Sequence, residues 1–319
     1  MEHTHIGKII KGVGGLYTVR LLDDANARTV NCRARGAFRH QNLSPLPGDL
    51  VTVVEEESAK ATAAADDTSG GHFVIDAINE RKNALIRPPM ANLDLLFITM
   101  AAAAPTPVLS TVDKLVAIAE HNRIEPVIVI TKCELNPDFA EELAAAYRLG
   151  GFSTFVLSAE KDLFVDALSS FIERELCGKT AAFAGASGIG KSTLLNRLFP
   201  TLELSTQKIS QKIQRGRHTT RQVELFPLSD ATDCGYIADT PGFSMLDFER
   251  FDFFDKEDLP EAMREFRPLI GCCRYTKCSH TKEDGCAILE AVRAGEIAPS
   301  RHASYVEIYD TLKQKKKWN

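Results

Sequence analysis

Apolar positions along the chain fall into three successive patterns. Between residues 6 and 78 they form short runs of strand type, over 6–10, 16–21, 29–34, 49–54 and 72–78. Gly14-Gly15, Asp23-Asp24, Pro45 and Pro47-Gly48 punctuate them as turns. Five short strands at this spacing predict a small barrel of the OB type. From residue 93 onward, longer buried runs alternate with helical periodicity. Strands are predicted over 93–98, 126–130, 152–157, 181–184 and 235–238, and helices over 111–121, 138–149, 163–176 and 193–199, the last closed by Pro200. That alternation predicts an α/β domain with a doubly wound parallel sheet. After residue 249 the pattern is irregular around Pro260 and Pro268, then helical over 287–294 and 300–313. The predicted organisation is 1–80 barrel, 81–248 α/β domain and 249–319 helical domain. Residues 55–71, polar, acidic and rich in alanine, predict a mobile hairpin loop.

The centre of the α/β region is Gly185-Ala186-Ser187-Gly188-Ile189-Gly190-Lys191-Ser192, which fits G-x-x-x-x-G-K-[ST]. It sits between a predicted strand and a predicted helix, the context that the P-loop requires. Its glycines let backbone N–H groups curl around phosphate oxygens, and the helix N-terminus adds partial positive charge. The expected phosphate-binding set is Gly185, Ala186, Ser187, Gly188, Ile189, Gly190, Lys191, Ser192 and Thr193. In it Lys191 reaches the β- and γ-phosphates and assists catalysis, while Ser192 ligates Mg²⁺.

The base is read elsewhere. A guanine-specific element ends a strand in [NT]-K-x-D, whose carboxylate accepts from the guanine N1 and N2 groups. None lies downstream of the P-loop. Upstream, the strand over 126–130 runs into Thr131-Lys132-Cys133-Glu134, and the strand over 152–157 ends in Ser158-Ala159, the expected supporting loop. Downstream, Asp239-Thr240-Pro241-Gly242 supplies D-x-x-G, in which Asp239 holds Mg²⁺ through water and the Gly242 amide senses the γ-phosphate. Between P-loop and D-x-x-G, residues 207–222 carry five basic residues and no acid. They include Gly216-Arg217-His218-Thr219-Thr220, where Thr219 or Thr220 completes the Mg²⁺ shell. Base recognition thus precedes phosphate recognition, an order reached by circular permutation.

Composition changes this picture in two places. The chain of 319 residues has a net charge of −5, which argues against wholesale coating of nucleic acid. Yet Arg28, Arg33, Arg35 and Arg39 lie between Ala25 and Gly48 without a carboxylate, a pattern suited to an RNA backbone. The basic stretch 313–317 is a second candidate contact. Four of the eight cysteines are bunched at Cys272, Cys273, Cys278 and Cys286, with His280 among them. Four soft ligands suit tetrahedral Zn²⁺, with either Cys272 or Cys273 as the first. No apolar run approaches the roughly 20 residues of a membrane span.

Taken together, the permuted motif order, the N-terminal barrel, the stretch from Arg81, Asn83 and Leu85 through Arg87-Pro88-Pro89 to Asn92 and Asp94, GRHTT, DTPGF and the Cys/His cluster resemble the bacterial ribosome small-subunit-dependent GTPase A family. The resemblance covers nearly the whole chain. It implies GTP hydrolysis to GDP, stimulated by the small (30S) ribosomal subunit during its late maturation. Contact of the basic stretches with 16S rRNA, a reducing cytoplasm and no membrane association are the accompanying expectations. The resemblance selects Cys273, Cys278, His280 and Cys286 as ligands of one structural Zn²⁺. A monomer is expected. Two departures stand out: Glu134 replaces the family's usual Asp, and the 55–71 loop is longer than its usual hairpin. Phe243 occupies the position after D-x-x-G where many GTPases carry a glutamine, so His218 is the candidate to orient the attacking water. A metallochaperone GTPase and a nucleotide-binding structural factor are the competing classes.

Overall fold

Five strands close a barrel in the computed structural model, which describes residues 3–36, 38, 43–56, 72–86, 88–200, 223–239 and 255–314. They are β1 (His3–Val13), β2 (Leu16–Leu21), β3 (Thr29–Ala34), β4 (Leu50–Glu56) and β5 (His72–Ile78). Their order is β1-β2-β3-β5-β4, and β4 returns to pair with β1 over Lys8↔Leu50 to His3↔Glu55. Alternate residues face inward, so Ile9, Val19, Cys32, Val51, Val53, Phe73 and Ile75 fill the interior. Closure leaves no open barrel edge. The expected loop starts later than its composition suggests: Glu55 and Glu56 still belong to β4, paired with Phe73 and His72. Residues 57–71 lie outside the described residues.

The described residues fall into two compact units. The first holds 3–94, 174–182 and 223–239; the second holds 95–173, 183–200 and 255–314.

In the first unit the barrel joins further strands. The short β6 (Ala84–Leu85) and β7 (Met90–Ala91) pair with each other. The start of β11 (Thr180–Gly185) pairs in parallel with β13 (Tyr236–Asp239). Beside β13 lies β12 (Glu224–Pro227), antiparallel to it, and β12 meets β1 at Lys11↔Glu224. The sequence did not foretell β12, because four residues ending in proline carry no readable alternation.

The stretch 81–94 proves to be a clasp between the barrel and β11. Arg81 grips fully buried Asp49 with Nε to Oδ1 at 2.7 Å and Nη2 to Oδ2 at 2.8 Å. The Asn92 amide donates to Gly48 O, and Asn83 exchanges two hydrogen bonds with the backbone of Leu93. Asp94 accepts from the Thr180 amide at 2.9 Å, and buried Lys8 donates to Thr180 Oγ1 at 3.0 Å. Burial pushes the Lys8 ammonium down to about 8, against the pull of Asp94.

The second unit contains a parallel sheet ordered β10 (Ser153–Val156), β9 (Glu125–Thr131), β8 (Leu95–Ala101), with the end of β11 next to β8. Every residue of β8 and of β11 is buried, as strands covered on both faces must be. Around it lie α1 (Leu109–His121), α2 (Pro137–Leu149), α3 (Val165–Glu175) and α4 (Lys191–Leu198), each within two residues of its predicted start and end. A 3₁₀ turn at Arg264–Leu269 precedes α5 (Ala287–Ala294) and α6 (Pro299–Gln314).

α6 docks on α1 through a buried ionic cluster. The Arg301 side chain, 2% exposed, donates to Asp113 at 2.5 Å and to both oxygens of Glu265, at 2.8 and 3.2 Å. Tyr147 of α2 donates its hydroxyl to the same Asp113 oxygen at 2.8 Å. Arg301→Met would strand two carboxylates in low dielectric. It is expected to cost about 3–5 kcal/mol in urea denaturation, far above a surface charge change. A loss below about 1 kcal/mol would show the cluster to be dispensable.

Candidate nucleotide and metal sites

The phosphate loop follows β11 without a break. A Cβ on Gly185 would lie 2.5 Å from both Thr99 O and Ile189 Cδ1, so only glycine lets the strand turn here. Gly190 caps α4 in the left-handed region, φ 91°, with no side chain hydrogen-bonding the helix start. A glycine at this cap has no side chain of its own to occupy the helix start, the arrangement that suits an anion. Ser187, Gly188, Ser192 and Thr193 are exposed, Ala186 and Lys191 half-buried, and Ile189 buried as the loop's apolar anchor.

The base-reading loop packs on this phosphate loop. Thr131 Oγ1 donates to Ile189 O at 2.5 Å, with Met100 O at 3.1 Å. Lys132, itself left-handed at φ 58°, donates from Nζ to Gly188 O at 2.8 Å and Ala104 O at 2.6 Å. Cys133 is buried, its amide aimed at Leu157 O. Asn136 then caps α2 through Phe139 N, and Pro137 takes the first helical position, which ends the loop sharply. Buried Ser158 accepts from Lys161 N, and its backbone is bridged to Leu163 in both directions. Half-buried Ala159 follows it. Arg197 of α4 ties this loop to the phosphate side through Asp162, Nε to Oδ1 at 2.8 Å.

Glu134 supplies the test of fit for a base. Its Oε2 is buried and has no hydrogen-bond partner among the described residues. An orphaned buried acceptor costs free energy, and the two ring-edge donors of guanine are the groups it lacks. Next to the same loops, Pro105, Pro107, Val108, Thr111, Ala186 and Ile189 line an apolar cavity of about 170 Å³. Glu134→Asp shortens the side chain by one methylene. It is expected to keep or sharpen preference for GTP over ATP, read by competition binding, since a charge-assisted hydrogen bond contributes roughly 1.5–3 kcal/mol. Equal binding of the two nucleotides by the unmodified protein would overturn the guanine assignment.

Asp239 is the last residue of β13, opposite Glu224 in β12. His218, Thr219, Thr220 and Gly242 lie outside the described residues.

The cysteine cluster is compact. Cys273 Sγ lies 3.5 Å from His280 Nδ1 and 3.8 Å from Cys286 Sγ, and Cys286 Sγ lies 3.5 Å from the same nitrogen. With Cys278, the four ligand atoms fall within 4.8 Å of one another. A tetrahedron with arms of about 2.3 Å has edges of about 3.8 Å, so these donors fit zinc. Exposed Cys272 is not part of the group, which decides between it and Cys273. Burial lowers the His280 pKa and so favours the neutral, ligating ring. Around the ligands, Glu283 accepts from the Ser279 hydroxyl and from the amides of Ser279, Thr281 and Lys282; against the opposing effect of burial, the Ser279 hydroxyl first, then the backbone amides, hold its carboxyl down at about 2. The Tyr305 hydroxyl donates to Ser279 O, tying the loop to α6.

On the barrel, Arg28 is paired with Asp24 and Arg35 with Asp76 at 2.8 Å. Both acids lie outside the acid-free window between Ala25 and Gly48, so the local count overstated the free positive charge. Arg33 is exposed and carries no ion pair among the described residues, and Arg39 lies outside them.

The Thr131-Lys132-Cys133-Glu134 loop packs on a P-loop motif that follows it in the chain, the arrangement of a circularly permuted P-loop GTPase. The chain belongs to the RsgA GTPase family, whose signature matches residues 78–249, with the RsgA N-terminal domain matched at 6–62. It is 36% identical over 315 residues to the small ribosomal subunit biogenesis GTPase RsgA of Alkaliphilus metalliredigens, covering 98% of this chain and 99% of that one. Its identity to the protein of the same name from Bacillus velezensis is 37% over 315 residues, covering 97% and 98%. Among solved structures it resembles YjeQ from Thermotoga maritima (TM-score 0.78, 30% identity, 98% and 100% covered). It also resembles YloQ, described as a circularly permuted GTPase (TM-score 0.74, 31% identity, 99% and 98% covered). GTP hydrolysis is therefore its activity.

Proposed function

We propose that this GTPase acts on the small ribosomal subunit in its late maturation, with its hydrolysis stimulated by that subunit. The names of its relatives support the partner. The single structural observation that carries the nucleotide reading is the contact of Thr131 and Lys132 with the backbone of Ile189 and Gly188, beside the unpartnered Glu134 oxygen. In this reading Thr131, Lys132, Cys133, Glu134, Ser158 and Ala159 hold guanine, and 185–193 hold the phosphates. Ser192, Asp239 and Thr219 or Thr220 would hold Mg²⁺, which neutralises charge developing on the phosphates. Lys191 stabilises the transferred phosphoryl group, the Gly242 amide senses it, and His218 orients water. Cys273, Cys278, His280 and Cys286 would hold one structural Zn²⁺; a full set of protein ligands leaves no open position for metal transfer or catalysis.

Residues 1–80 then serve as the barrel that touches 16S rRNA, 81–248 as the GTPase domain and 249–319 as the zinc-binding domain. The protein works as a cytoplasmic monomer. Among the described residues no helix is long and apolar enough to cross a membrane. The deciding experiment is phosphate release from GTP with and without purified small subunits; equal rates would overturn the proposal. In co-sedimentation, Arg33→Glu should weaken subunit binding and reduce its salt dependence by about one phosphate contact. Unchanged binding would remove this barrel face from the interface.

A further inference from the structure

β1 is unusually long, and its two halves do different things. Residues 3–8 close the barrel against β4. A bulge then inserts Ile10, since Ile9 pairs with Val19 but Lys11 pairs with Thr18. Bulges re-aim the residue that follows them. Here that residue is Lys11, which stands opposite Glu224 in β12 and donates to its carboxylate at 2.7 Å. Glu224 in turn stands opposite Asp239 in β13. One register row across three strands therefore joins Lys11, Glu224 and the last residue of β13, Asp239. Opposite charges paired across neighbouring strands stabilise the pairing, whereas a half-buried carboxylate left without its cation weakens it.

The geometry points to Lys11 and Glu224 as positioning residues for GTP turnover. Lys11 neutralises Glu224 and so keeps the strand facing Asp239 in register. The inference rests on the reading of Asp239 as the Mg²⁺ carboxylate, but not on the ribosomal partner.

The test is steady-state GTP hydrolysis without subunits, at saturating Mg²⁺ and well below the melting temperature. Lys11→Met leaves Glu224 uncompensated. It should lower kcat about fivefold, the scale of a pair whose side chains are about one-third exposed, with KM for GTP within about twofold. Adding Glu224→Gln to Lys11→Met removes the uncompensated charge and should restore kcat to within about twofold. Lys11→Arg keeps the cation and should retain the rate. A purely structural role would lower the melting temperature without this split between kcat and KM. Unchanged kcat in Lys11→Met, or a double variant no better than the single one, overturns the inference. Asp239→Ala, assayed alongside, separates the two claims. Full turnover by it removes the metal reading and this inference with it, whereas lost turnover with an unaffected Lys11→Met removes the inference alone.

Discussion

Protein purified without chelator is expected to contain one zinc ion per chain, and stripping that zinc is expected to unfold the module carrying the Cys/His cluster. The three thiols and His280 already sit at tetrahedral separations, with Cys286 and His280 buried. Without metal, burial pushes the Cys278 thiol up to about 12, so a metal-free site would hold protonated thiols packed against one another. Metal binding must displace those protons, which makes occupancy fall as pH is lowered. Apparent binding free energies at structural zinc sites reach about 10–16 kcal/mol, more than most domains have as total stability. Chelation should therefore collapse helicity from α5 and α6 and expose Cys286 and buried Tyr305, readable by thiol titration and tyrosine fluorescence. Cys273→Ser and Cys286→Ser should each lose the metal, while Cys272→Ser should keep it. Elemental analysis without zinc, or retention of zinc by Cys286→Ser, would sink the assignment.

The second large effect concerns turnover on the ribosome. His218→Ala should abolish most of the stimulated hydrolysis while leaving GTP binding and subunit association in place. The motive is chemical. Phe243, after D-x-x-G, cannot hydrogen-bond water, so another group must orient the nucleophile. The imidazole of His218 lies in the basic stretch between P-loop and D-x-x-G. Activating partners raise GTPase rates by roughly 10³–10⁵, and loss of the orienting group should remove a large share of that factor. Single-turnover rates with saturating small subunits would measure it. A fully stimulated rate in His218→Ala would transfer the role to a group of the ribosome.

Most of the fold was legible because its signals are local. Strands covered on both faces leave continuous apolar runs, as in β8 and β11, and caps such as Asn136-Pro137 and Gly190 are written in adjacent residues. The P-loop is legible for the same reason: close approach of backbone to phosphate admits only glycine, wherever the loop sits in a fold. Permutation was legible too, since each motif keeps its strand-loop context when the order of motifs changes.

What depends on distant partners was not. Cys272 and Cys273 are adjacent and chemically identical, and only side-chain direction in the folded loop separates them. Arg301 sits in a helix of polar composition, yet it is buried because Asp113 and Glu265, far away in the chain, meet it there. Arg28 and Arg35 looked like free charge until the barrel brought Asp24 and Asp76 beside them. Arg81, Asn83, Asn92 and Asp94 marked a family but revealed no role until their bonds to Asp49, Gly48 and Thr180 showed a clasp. β12 has too few residues to declare itself and exists through β1 and β13. By itself the sequence determined the longer elements, their class and the residue pattern of each motif, because propensity, capping and glycine geometry act over a few residues. The tertiary structure alone decided which charges are paired and which cysteine joins the cluster, because ion pairing and ligation are set by distances that chain separation does not encode.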